Sequence, residues 1–165
     1  MFARHCLFIF SAISIVVIDQ MTKLWIMAEF VLYEVKTVIP GFFNLVHIRN
    51  KGMAFGLFNK PDNSIPFYII TGISIILVII LTYWFLSEKP DSPAIKIGGG
   101  FILGGAAGNL IDRVRLGEVV DFLDFYIKTW HWPAFNVADS AINIGAAIII
   151  LFMIREKKFL TKSQD

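Results

Sequence analysis

Apolar residues along this chain come in long runs, two clean and two with polar interruptions, rather than at strand or surface-helix spacing. Four runs are long enough to cross a bilayer, which needs about 20 mostly apolar residues per helix. They cover about residues 6–27, 67–86, 95–111 and 136–154. The second contains no charged residue. The third is short and carries Gly98, Gly99, Gly100, Gly104, Gly105 and Gly108 together with Ala106 and Ala107. Small residues let membrane helices approach closely, so this helix is expected at the centre of the bundle. Between the first two runs, Val38 to Ile48 is rich in β-branched and aromatic residues and holds a Pro40-Gly41 turn signal. A small strand-like element lying on the membrane face is predicted there. The expected fold is an all-α membrane protein: four transmembrane helices with a small extracytoplasmic β-like element, forming a single domain over residues 1–165.

The first run begins after Arg4 and His5, as a secretory signal would. It has no small-x-small cleavage site, and its apolar character continues past Asp19 to Trp25. It is therefore expected to be a retained span.

Composition agrees with a bilayer. Apolar residues make up 56% of the chain, Phe occurs 16 times and mean hydropathy is +0.68. Charged residues are 17%, against about a quarter in soluble domains. A net charge of +2 without a dense basic stripe gives no reason to expect nucleic acid. Cys6 is the single cysteine, so an intrachain disulfide is impossible. It reads as a small apolar residue at the start of a span.

Four spans put both termini on one side. Arg4, Arg155, Lys157, Lys158 and Lys162 flank the outermost spans and favour a cytoplasmic position for both termini. The opposite loops also carry Lys51, Lys60, Arg113 and Arg115, which weakens the bias. On this reading, residues 28–66 and 112–135 are external, and 87–94 form a short cytoplasmic turn.

Ionisable groups inside a span cost about 2.5 to 3.5 kcal/mol at its centre, and here nearly all of them cluster at one end of their helices. Asp19 and Lys23 are four residues apart, on one face of the first span. Asn109, Asp112 and Arg113 close the third. Asn136 and Asp139 open the fourth, with Asn143 one turn further in. Asn50 sits in the loop segment 50–56. Four separate segments thus converge at one depth, near the external interface. Lys23, Arg115 and Asp112 are equally consistent with ordinary helix-end residues that cap and snorkel. Asp139 fits that reading less well, because an apolar run follows it directly; as an acid in a first helical turn it would be stabilised by the dipole.

The residue types narrow the chemistry. His5, His47 and His131 are scattered and form no zinc-ligand spacing. No Gly-x-Ser-x-Gly elbow and no phosphate-binding loop is present. No metal and no cofactor is expected. Carboxylates remain. Two aspartates brought close cannot both ionise cheaply, so the pair holds one proton. One member can then deprotonate a water while the other protonates a carbonyl oxygen or a leaving amine. Candidates are Asp19, Asp112, Asp121, Asp124 and Asp139, and spacing alone does not choose among them. Asp121 follows Gly117-Glu118-Val119-Val120 in a predicted external loop, where reactive groups are often held. Asp124, three residues on, would share a helical face with it.

Five stretches carry a resemblance. They are Asp19-Gln20-Met21-Thr22-Lys23, Asn50-Lys51-Gly52-Met53-Ala54-Phe55-Gly56, Gly104 through Arg113, Val119-Val120-Asp121-Phe122, and Phe135-Asn136-Val137-Ala138-Asp139-Ser140. In that order, over about Ile15 to Ile150, the chain resembles the lipoprotein signal peptidases, the type II signal peptidases of bacteria. The resemblance implies an aspartic endopeptidase with its catalytic pair at Asp121 and Asp139. It implies cleavage of a prolipoprotein signal peptide just before a cysteine that carries diacylglyceryl. It also implies that Asp19, Lys23, Asn50, Gly105, Asn109, Arg113, Asn136 and Ala138 lie in or near the site. The expected partners are diacylglyceryl-modified prolipoproteins and membrane lipids, with the enzyme a monomer in the bacterial inner membrane and its site near the outer face. The segment 50–56, with its glycines as pivots, is expected to close over substrate.

Two rival readings use the same residues. A small proton- or cation-coupled transporter subunit would employ the carboxylates as ion sites; against it, no inverted halves are visible and the polar groups avoid midplane. A membrane anchor without chemistry would tolerate loss of either aspartate. Trp130-His131-Trp132 reads as an interfacial anchor, since Trp concentrates there.

Overall fold

The computed structural model describes residues 2–51, 65–88 and 90–162. The element order is α1 (Phe2–Glu29), β1 (Val35–Ile39), β2 (Phe43–Asn50), α2 (Ile65–Glu88), α3 (Pro93–Leu116), β3 (Val119–Ile127), β4 (Trp130–His131) and α4 (Val137–Lys162). Within these helices, His5–Glu29, Phe67–Glu88, Pro93–Leu116 and Val137–Glu156 are long and apolar enough to cross a membrane. They match the four expected spans, with ends two to five residues longer in places. The segment 52–64, including most of the expected closing loop and Lys60, lies outside the described residues.

α3 is the centre of the bundle and packs against α1, α2 and α4. Its small residues are the reason. Gly104 lies against the backbone of α1, where an added Cβ would stand 2.6 Å from the Ala12 carbonyl oxygen. Gly105 lies equally tightly against the Ala138 carbonyl of α4, and Gly98 against that of Gly145. Two faces of one helix are thus pressed onto two neighbours at backbone contact. The helix starts at Ser92, whose side chain accepts from the Ile95 N–H, followed by Pro93 at its first turn. It stops at Gly117, which takes a left-handed conformation (φ 74°) and donates its N–H to Arg113 O.

The expected β-like element is larger than the sequence indicated. β1, β2, β3 and β4 form a four-stranded antiparallel sheet in that order. Asp121 therefore sits on a strand, not in a loop. β3 reads Val-Val-Asp-Phe-Leu-Asp-Phe-Tyr-Ile, a β-branched and aromatic run that strand propensity favours. Asp121 and Asp124 consequently do not share a helical face. Three apart on a strand, they point to opposite sides of the sheet. Ile26 and Phe30 at the end of α1 pack with Val120 and Phe122 in a buried cluster, which seats β3 on the helix ends and fixes where Asp121 points.

Candidate active site

α4 opens with a capping box. Asn136 Oδ1 accepts from the Asp139 N–H at 3.0 Å, and Asp139 Oδ2 accepts from the Asn136 N–H at 3.3 Å. This reciprocal pair satisfies two donors that a helix start leaves open, and it fixes the Asp139 carboxylate in the first turn, where the helix dipole favours negative charge.

The Asn136 side chain, fully buried, reaches the other carboxylate as well. Its Nδ2 donates to Asp121 Oδ1 at 2.7 Å and also lies 3.2 Å from Val120 O and from Asn109 Oδ1. Asn50 Nδ2 donates to Asp121 Oδ2 at 2.9 Å from the end of β2. Asn109 Nδ2 donates to Asp139 Oδ1 at 2.8 Å. Each of the two carboxylates thus receives donors on both oxygens, and one residue, Asn136, touches both. Asp121 is 3% exposed. Burial pushes its carboxyl up to about 7; the bonds from Asn50 and Asn136 pull the other way, while the nearby negative charge of Asp139 adds to the rise.

Beneath this pair lies a buried ion cluster. Lys23 Nζ contacts Asp19 Oδ2 at 2.9 Å, Asp112 Oδ2 at 2.8 Å and Asn109 Oδ1 at 2.9 Å. Lys23 and Asp112 are both fully enclosed, so the snorkelling alternative fails for them; Arg115 alone of the three is exposed, bonded to Gln20 Oε1 at 3.3 Å. Asp19 Oδ1 accepts from the Ala138 N–H at 2.9 Å, and Asp112 Oδ2 from the Val120 N–H at 3.2 Å. One cluster therefore ties α1 and α3 to the first turn of α4 and the first residues of β3. Gly108 makes room for it: a Cβ there would stand 2.5 Å from Asp19 Oδ2.

The cluster also sets a polarity. An ammonium has no acceptor, so Lys23 compels Asn109 to present its oxygen inward. The Asn109 amide nitrogen must then face Asp139.

Every residue singled out by resemblance belongs to this connected set. Asp19, Lys23, Asn50, Asn109, Asn136 and the Ala138 N–H are bonded as described. Gly105 enters by letting Ala138 approach. Arg113 is half-buried, with Nη1 3.4 Å from Asn109 O; its Nε is buried and has no hydrogen-bond partner among the described residues. Asp139, Asp121 and Asp112 lie near enough to act on its charge. Asn143 is peripheral: it is exposed and its Nδ2 donates to Asp139 O at 2.9 Å. Asp124 is elsewhere, bonded to Asn44 Nδ2 at 2.9 Å and His131 Nδ1 at 2.8 Å.

Gln20 was not among the expected site residues. Its Nε2 bridges Asp19 Oδ2, Gly108 O and Asp112 Oδ1 at 3.0 to 3.2 Å. The signal was present: a long amide beside an intramembrane aspartate needs a partner.

A model of the Signal peptidase (SPase) II family matches residues 11–155. The lipoprotein signal peptidase of Geobacter metallireducens is 46% identical over 156 residues, 93% of this chain and 95% of its own length. That of Syntrophotalea carbinolica is 44% identical over 154 residues, 93% and 94% of the two chains. A bacterial membrane enzyme solved by the in meso method at 2.3 Å resolution superposes with a TM-score of 0.78 at 34% identity, over 91% of this chain and 88% of that one. A second such enzyme, at 1.9 Å, gives 0.75 at 35% identity over 88% and 91%. With the family model matched from the first span to the last and close relatives aligned nearly end to end, this chain belongs to the signal peptidase II family.

Proposed function

We propose that the protein removes signal peptides from bacterial prolipoproteins, cutting before the diacylglyceryl-modified cysteine, and that Asp121 and Asp139 perform the hydrolysis without metal or cofactor. The chain is a multi-pass protein of the bacterial inner membrane. The family assignment sets aside the transporter reading. The observation that carries the aspartic mechanism is the double engagement of Asn136, which bonds both carboxylates from one buried side chain and its own backbone.

The two environments divide the labour. Asp121, buried and raised to about 7, holds the proton that the pair shares. Asp139, in the first turn of α4, is the partner that accepts a proton. Asp139 takes a proton from a water whose oxygen attacks the scissile carbonyl. Asp121 gives its proton to the carbonyl oxygen, which forms a tetrahedral intermediate. Collapse breaks the C–N bond; the leaving amine takes the proton held by Asp139, and the other returns to Asp121. The Nε of Arg113, without a partner among the described residues, supplies a donor for a substrate oxygen.

Positioning comes from the bilayer. A signal peptide is an apolar helix, and diacylglyceryl on its cysteine holds the cut site at the depth of the carboxylates. On this reading both termini are cytoplasmic, the pair lies near the outer face, and the whole chain is one peptidase domain that acts as a monomer. The purified protein should cleave a diacylated prolipoprotein. Asp121→Asn and Asp139→Asn should each lower the rate by at least about 10²-fold while keeping their thermal transitions. Full cleavage by either folded variant would refute the pair.

A further inference from the structure

Away from the carboxylates, at the far end of the sheet, lies a cleft of about 320 Å³ lined chiefly by Phe42, Phe125, Ile127, Trp130, Trp132 and Phe135. Its walls are rings: Phe42 meets Phe125 edge to face at 5.3 Å, Phe125 stacks on Phe135 at 5.8 Å, and Trp130 and Trp132 cross at 5.9 Å. This is room for about ten waters at their liquid volume, but the walls offer them almost no donor or acceptor. An apolar occupant suits the cleft better than solvent.

The surroundings indicate which one. Met21, Leu24 and Trp25 form the exposed, lipid-facing side of α1 near its end. The exposed apolar series does not stop with the helix. Beyond the helix Ile39 and Phe42 are exposed too, joined by the bond from the Phe42 N–H to Ile39 O, and Phe42 is itself a wall of the cleft. The rim of the cleft is therefore apolar and exposed at Phe42, Ile127, Trp130 and Trp132. Exposed Trp and Tyr are the residues enriched where hydrocarbon meets headgroups. An exposed cation stands at this rim: Lys128, which follows Ile127 in the turn between β3 and β4. A lysine beside an apolar slot matches the phosphate of a lipid.

We propose that the aromatic cleft docks one acyl chain of a membrane glycerophospholipid, with Lys128 facing its phosphate. The consequence reaches the active site. Phe125 is four residues beyond Asp121 on β3, about 13 Å at strand rise, so a lipid held here holds the strand that carries Asp121 at a fixed depth. The inference depends on the spans and the sheet, not on the peptidase reading.

The test uses the full chain in nanodiscs containing a phosphatidylglycerol with a diazirine in one acyl chain, without substrate. After illumination, peptide mapping should find label at Phe42, Trp130 or Trp132 as well as on α2, the most lipid-exposed span. Ile127→Glu with Trp132→Glu should reduce cleft labelling roughly tenfold and leave α2 labelling unchanged. As a measurement independent of that variant, a Trp25→Phe/Trp84→Phe protein retains only Trp130 and Trp132; their fluorescence should be quenched by lipids spin-labelled in the acyl chain and protected from acrylamide. Label confined to α2 would overturn the proposal, as would acrylamide quenching without lipid quenching. So would a cleft labelled by a diazirine-bearing prolipoprotein but not by the phospholipid.

Discussion

Replacing Lys23 with Met tests the scaffold beneath the carboxylates, and its size can be worked from the contacts. The ammonium makes three bonds of 2.8 to 2.9 Å and is 1% exposed. Removing it leaves Asp19 and Asp112, both fully buried, with their facing oxygens on either side of a neutral side chain. Breaking a buried ion pair by deleting one partner costs about 3 to 5 kcal/mol, mostly the penalty of the charge left behind. An exposed pair would cost about 0 to 1 kcal/mol. SDS-driven unfolding of the purified protein should therefore show Lys23→Met destabilised by about 3 to 5 kcal/mol. The triple variant Asp19→Asn/Lys23→Met/Asp112→Asn keeps no unpaired charge and should recover most of that loss. A catalytic effect should accompany it: without Lys23, Asn109 is free to turn its amide, and the donor to Asp139 is lost. A single variant within about 1 kcal/mol of wild type, or a triple variant no better than the single, would show that the cluster does not hold α1 and α3 to the start of α4 and β3.

Other predictions follow from neighbouring contacts. Asp121 binds its proton more tightly folded than unfolded, so between its ordinary value of 3.8 and about 7 the native state holds more protons, and stability falls as pH rises through that window; Asp121→Asn should flatten this slope in unfolding measured across pH. Cleavage should likewise decline on the alkaline side of about 7, and Asn50→Ala, which removes a bond to the charged form, should move that limb of the kcat/KM profile upward. Gly105→Ala adds a Cβ against the Ala138 carbonyl; separating α3 from α4 should cost about 1 to 3 kcal/mol and lower activity through the Asn109–Asp139 bond, seen as a kcat loss in the folded variant. Asp124→Asn, on the other side of the strand, should retain near-normal cleavage under identical assay, whereas Asp121→Asn should not.

The spans and the convergence of polar groups were legible because both are local patterns. Long apolar runs give the helices, and Asp19 with Lys23 at i,i+4 gives one face of the ion cluster. The glycines of α3 marked the central helix, since only close backbone approach explains so many in one span. The capping box Asn136-x-x-Asp139 was also written in the chain, although the motif was read only as an acid near a helix start. Asp121 and Asp124 show the limit. With one strand assumed absent, their spacing suggested a shared face; in a strand the same spacing separates them, and that depends on distant pairing with β2, Asp121 with Ile48 and Asp124 with Asn44. Asp112 looked like a helix-end residue because its partners, Lys23 and the Val120 N–H, come from other elements. The aromatic cleft depends on Phe42 meeting Phe125 and Phe135 across the sheet, which no run of residues announces.

The central claim is that Asp121 and Asp139 hold one proton between them, on Asp121. Infrared difference spectroscopy of the purified protein, titrated from below to above pH 7, reads it directly. The account predicts a protonated-carboxyl stretch that disappears with a midpoint near 7 and is missing in Asp121→Asn. A spectrum in which that band is absent at acidic pH near 6, or survives unchanged in Asp121→Asn, would contradict it.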